Sequence, residues 1–215
     1  MNYKAIIFDL DGTLVNSIQD IADAMNTVLK KRHYPTHNYE TYKLFVGSGI
    51  RSLVINALPN KNPNEAEVDE CLSEMMRVYS NHCTIKTHAY NGILELLDIL
   101  NSKNLKLNIF SNKDETLTKK VANAILPKYF HQVLGLTTEA LKKPNPAKAL
   151  NLINNLGLKP EEVIFVGDSN IDIQTAKNAN MLAVGVSWGF RDKQELTNEG
   201  ADYILDKPIE LLDIL

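Results

Sequence analysis

Where the apolar run "KAIIF" ends, two aspartates, Asp9 and Asp11, flank a single leucine, and Gly12 follows. Neighbouring carboxylates repel each other and lose hydration when buried, so such a pair calls for a counter-cation or a shared proton. A divalent metal answers both needs. The pattern recurs along the chain. "LNIFSNKDE" ends an apolar run on Ser111 and Asn112 ahead of a helical stretch, which offers a hydroxyl and backbone N–H groups to an anion. "VIFVGDSNIDIQTAKNA" ends another on Gly167 and Asp168, with Asp172 one helical turn later. Between them, "LKKPNP" carries Lys142 and Lys143 ahead of a proline-marked break. Acids, hydroxyl and lysine together suit a phosphate group and its metal.

Those residues can meet only if the runs that carry them lie side by side. "KAIIF", "LKLNIF", "QVLGL", "EVIFVG", "MLAVGVS" and "ADYILD" are short, rich in branched residues and mostly separated by segments of helical periodicity. That alternation predicts an α/β fold, a largely parallel sheet with helices on both faces. Ligands of such sheets bind beyond the carboxyl ends of the strands, which is where Asp9, Asp11, Ser111 and Asp168 fall. Residues 15–85 break the rhythm with helical patterns and no convincing strand. Ser17 is placed to N-cap a helix with the stripe Ile18, Ile21, Ala22, Met25, Val28 and Leu29, and a second stripe follows at Val68, Leu72, Met75 and Tyr79. The expected division is a core of residues 1–14 and 86–215 with an all-helical insert at 15–85. The chain returns to the core near "HAYNGILELLDIL", with a turn at Asn91-Gly92.

Composition limits the partners. The 215 residues are 44% hydrophobic and 23% charged, the balance of an ordinary globular chain. A net charge of -3 without a basic run gives no footing for nucleic acid or an anionic membrane surface. Nothing resembles a signal peptide or a membrane span, so a cytoplasmic setting and a small-molecule partner are expected. Cys71 and Cys83 show no metal-binding spacing, and the five histidines are scattered.

Four motifs in order, DLDGT at 9–13, SN at 111–112, KPNP at 143–146 and GDSNID at 167–172, resemble the haloacid dehalogenase superfamily of aspartate-nucleophile phosphatases. The match spans nearly the whole chain. The resemblance implies a Rossmann-like core and makes residues 15–85 the superfamily's helical cap, which selects the substrate. "FVGSGI" at 45–50, which includes Ser48 and precedes Arg51, and "SWGF" at 187–190 are most similar to the phosphoglycolate phosphatase branch. It further implies Asp9 as nucleophile, Asp11 as general acid and base, and Ser111, Asn112, Lys143 and Thr13 around the phosphoryl group. Mg²⁺ would be held by Asp9, Asp11 through its backbone carbonyl, and Asp168, with Asp172 orienting Lys143 behind them. Arg51 and Ser48 are its cap candidates for substrate specificity. The substrate implied is a small phosphorylated metabolite, foremost 2-phosphoglycolate, and the assembly a monomer or homodimer. Sugar phosphates, pyrophosphate, a β-phosphoglucomutase-like phosphomutase and a phosphoacceptor or binding protein without turnover are the alternatives. Two departures stand out: Asn180 and Asn91 replace the family's usual glycine and proline.

Overall fold

The computed structural model describes residues 3–215. Its centre is a six-stranded sheet of β1 (Ala5–Phe8), β4 (Lys106–Asp114), β5 (Gln132–Leu136), β6 (Val163–Gly167), β7 (Leu182–Val186) and β8 (Tyr203–Leu205). All six runs expected to be strands are strands. The spatial order is β5-β4-β1-β6-β7-β8, and every pair is parallel. The chain builds outward from β1 in both directions, so β1 lies between β4 and β6 at the point where the winding reverses. Crevices form at such points, beyond the carboxyl ends of the strands.

Two-residue alternation gives the sheet two buried faces. Ile6, Phe8, Ile164 and Val166 join one apolar cluster, while Ala5, Ile7, Val163 and Phe165 join the other. Core-side helices α5 (Ile93–Ser102), α6 (Glu115–Ile125), α7 (Ala147–Asn155), α8 (Asn170–Asn178) and α9 (Lys193–Asn198) alternate with the strands. After α8, Asn180 takes the left-handed conformation at φ 55°, which asparagine tolerates better than most residues.

Helices α1 (Ile18–Lys31), α2 (Tyr39–Phe45), α3 (Ile50–Ala57) and α4 (Glu65–His82) lie between β1 and α5. The expected stripe on α1 is buried in full; on α4, Val68, Met75 and Tyr79 are buried together with Cys71, and Leu72 is partly covered. One element went unread. β2 (Val15–Asn16) pairs antiparallel with β3 (His88–Ala89), bringing the entry and exit of the helical excursion together. Two residues are too few to show a period. Buried Asp20 fixes the same junction from α1, where its carboxylate accepts from the backbone N–H groups of Lys86 and Thr87 and from the Thr87 hydroxyl. Cys71 and Cys83 are free and buried. No helix among the described residues is long and apolar enough to cross a membrane.

Candidate active site

Asp9 directly follows β1, and its N–H donates to the Val166 carbonyl of β6 at 2.9 Å, so the strand ladder itself fixes the residue. Asp168 follows β6 in the same way. On the other side of β1, the register of β4 slips between Phe110 and Asp114, which takes residues 111–113 out of the regular ladder. A bulge of this kind re-aims side chains, and here Ser111, Asn112 and Lys113 all line the cavity above the strand ends.

Lys143 reaches this point from the segment before α7. Its Nζ donates to Asp9 Oδ1 at 2.8 Å and Asp172 Oδ1 at 2.6 Å, and all three side chains are buried. The other oxygen of Asp172 caps α8, accepting from the Ser169 N–H at 3.1 Å and the Ser169 hydroxyl at 2.6 Å. Supporting the helix start and orienting Lys143 are therefore done by one carboxylate. Asn112 aligns the lysine's backbone: its Oδ1 accepts from the Lys143 N–H at 2.8 Å, and its Nδ2 donates to the Lys143 carbonyl at 3.2 Å.

Carboxylate oxygens of Asp9, Asp168 and Asp172 lie within 4.8 Å of one another, all buried. One ammonium faces three acids. Burial, reinforced by Asp172 and Asp11, pushes the Asp9 carboxyl up to about 7 despite the opposing pull of Lys143. Burial likewise raises Asp168 well above the ordinary range, with Asp172 and Asp9 adding to the effect. Lys143 stays protonated, because Asp172 and Asp9 outweigh the burial that opposes its charge. The surplus of negative charge and the oxygen-only donor set fit a hard divalent cation. Asp168 is held ready, accepting from the Phe190 N–H at 2.7 Å and the Thr13 hydroxyl at 3.2 Å. Gly12 makes room for it, since a Cβ there would run into the Asp168 carboxylate, and Gly12 has φ +94°.

The structure places other candidates differently. Ser17 occupies the N-cap position of α1 without capping it; its hydroxyl donates to Asp11 Oδ1 at 2.5 Å. The Thr13 hydroxyl is turned to Asp168. Neither Arg51 nor Ser48 is among the residues lining the cavity. Arg51 pairs with Glu65 and, at 2.6 Å, Asp69 on the helical side, because these acids at the start of α4 are its nearest counter-charges.

Two cations escaped the sequence reading. Lys113 grips Asp11 through both carboxylate oxygens, at 2.8 and 2.7 Å. Its signal was its position next to Ser111 and Asn112, but a lysine beside a strand end is usually solvated. Arg191 donates to the carbonyls of Lys43 and, at 2.7 Å, Val46, tying the loop after β7 to the end of α2. Nothing in its local sequence marks it, since its partners are backbone atoms far along the chain.

The chain matches the haloacid dehalogenase-like hydrolases over residues 6–186, and it belongs to that family. Among its relatives, the phosphoglycolate phosphatase of Chromobacterium violaceum is 35% identical, covering 99% of this chain and 96% of the relative. That of Aquifex aeolicus is 32% identical with the same coverage. A crystal structure from Lactobacillus delbrueckii subsp. bulgaricus superposes with a TM-score of 0.92 at 30% identity, covering 100% of this chain and 98% of that one. A haloacid dehalogenase-like family hydrolase from Streptococcus pneumoniae gives 0.88 at 26% identity, with coverage of 99% and 98%.

Proposed function

We propose that the protein is a Mg²⁺-dependent phosphatase of a small phosphorylated metabolite, with 2-phosphoglycolate the leading substrate. The observation that carries this reading is the meeting of Asp9 and Asp168, from the ends of β1 and β6, and Asp172, from the first turn of α8, with the ammonium of Lys143. The names of the relatives support the choice of substrate. Phosphate monoesters hydrolyse so slowly that enzymes accelerate the reaction by up to about 10²¹-fold, so several groups must act together.

Asp9 attacks phosphorus in line, forming an Asp9–phosphorus bond as the bond to the leaving oxygen breaks. Asp11 protonates that oxygen and then takes a proton from the water that hydrolyses the aspartyl-phosphate. Ser111, the Asn112 N–H and Lys143 hold the phosphoryl oxygens, and Asp172 keeps Lys143 aimed. Asp9, the Asp11 carbonyl and Asp168 would hold Mg²⁺, which when bound neutralises phosphoryl charge. Residues 15–85 form the cap over this site. Arg191 and Asn112 support that assignment, since their side chains reach across to the carbonyls of Val46 and Gly47. A cap held there excludes water and limits substrate size.

Phosphate release across phosphorylated acids, sugars, nucleotides and pyrophosphate is the direct test. Release is expected with Mg²⁺, highest for 2-phosphoglycolate, and lost with chelator. A flat profile would remove the named substrate, and no release from any ester would overturn the reading. Gly12→Ala tests the metal position separately. With Asp168 displaced by the added Cβ, Mg²⁺-dependent release should fall by about 10²-fold, whereas an unchanged rate would remove Asp168 from the metal site.

A further inference from the structure

Three cations line the cavity: Lys143, Arg191 and Lys113. Lys143 is engaged by Asp9 and Asp172, and Arg191 by two carbonyls and Glu195. Lys113 differs, because it gives two of an ammonium's three N–H donors to Asp11 while its Nζ stands 4.9 Å from the centre of the Tyr79 ring. Tyr79 comes from α4 and lines the same cavity. Its side chain is 2% exposed, and its hydroxyl is buried without a hydrogen-bond partner. Native structures rarely leave such a group unmatched unless a ligand or water completes it. Burial pushes the phenol's pKa up against the pull of the neighbouring Lys113 ammonium, so the hydroxyl stays protonated, with its proton directed away from that cation.

An ammonium with a spare N–H and an unpartnered O–H are both donors, and the adjoining walls, Leu53, Met75 and Leu117, are apolar. Their complement is a compact acceptor that carries negative charge. The cavity, of about 70 Å³, suits a compact ligand.

The geometry points to a second-anion subsite, made by Lys113 Nζ of β4 and the Tyr79 hydroxyl of α4, that takes the carboxylate of a short phospho-acid. The inference rests on the phosphomonoester reading of the strand-end site and adds what selects the substrate's other end. Selection falls to this pair rather than to Arg51, whose charge is matched by Glu65 and Asp69. It makes recognition of an acid depend on one residue from α4 and one from β4.

Calorimetry on the Mg²⁺-loaded protein tests this with two uncleavable probes, 3-phosphonopropionate and propylphosphonate, which differ by a carboxylate against a methyl group. Wild type should prefer the carboxylate by about tenfold or more, the effect of one charge-assisted hydrogen bond. Tyr79→Phe should shrink that preference several-fold and Lys113→Met should abolish it. Tyr79→Phe removes an unpartnered hydroxyl and leaves the ring packing intact, so it carries the test even if Lys113→Met misfolds. No preference in wild type, or a preference that Tyr79→Phe leaves whole, overturns the subsite. In the second case Lys113 serves only to hold Asp11. Because neither probe is cleaved, a protein that shows the preference but releases no phosphate from any ester would lose the phosphatase reading and keep the subsite. Turnover without the preference would do the reverse.

Discussion

Asp9→Asn protein should fold like wild type and release phosphate at no more than about 10⁻⁵ of the wild-type rate, the scale of loss seen when a covalent nucleophile is removed. A carboxamide has nearly the shape of a carboxylate and can still accept from Lys143, but its oxygen is a poor nucleophile toward phosphorus. Stability should move the other way or not at all. Burial pushes Asp9 up to about 7, so ionising it inside the fold is unfavourable, and a neutral isostere avoids that cost. In chelator at pH 8, the Asp9→Asn variant should therefore melt at or above the wild-type temperature. The two readouts separate chemistry from architecture. Acid-quenched wild type should also carry one phosphoryl group on the peptide containing Asp9. Retained turnover in the variant, or the phosphoryl group on another peptide, would remove Asp9 from the nucleophile's role.

Lys143→Met should lose both activity and stability. The lysine is 3% exposed and is the cation paired with Asp9 and Asp172, so its removal leaves buried carboxylates uncompensated. Breaking a buried pair from one side typically costs about 3–5 kcal/mol. At about 2–4 °C per kcal/mol for a chain of this size, the melting temperature should fall by roughly 6–20 °C in chelator. The direction with pH follows from the acids. Asp9 ionises as pH rises through about 7 in the wild type, where Lys143 compensates it, and at a higher pH in the variant, which lacks that pull, so the deficit should be larger at pH 8 than at pH 5.5. Mg²⁺ should narrow it at pH 8 for the same reason. Thermal unfolding in the four combinations of pH and metal measures this, and a melting temperature unchanged at pH 8 in chelator would show that Lys143 does not compensate the cluster.

Most of the strand-end cluster was legible because its signals are local. Asp9, Ser111 and Asp168 each end an apolar run, and a parallel sheet brings such ends to one edge whatever the loops between them do. The same holds for the α1 and α4 stripes, whose spacing alone assigns the buried face. Contacts set by distant backbone were not legible. Ser17 has the type and place of an N-cap, yet its hydroxyl donates to Asp11 and accepts no helix N–H, because its backbone, at ψ 1°, is not in the extended conformation that aims an N-cap oxygen at the first turn. Arg51 reads as a free cap cation until Glu65 and Asp69 are seen to hold it.

The sheet, the helical excursion after its first strand, the family, and the order of acids, hydroxyl and lysine along the strand ends all follow from local sequence. How those groups are matched does not: Lys143 sits between Asp9 and Asp172, Lys113 on Asp11, Thr13 on Asp168, and the Tyr79 hydroxyl is left without a partner. The reason is physical. Periodicity and strand endings are properties of neighbouring residues, whereas hydrogen bonds and charge pairs between residues far apart in the chain depend on which elements the packing of the core brings within about 3 Å.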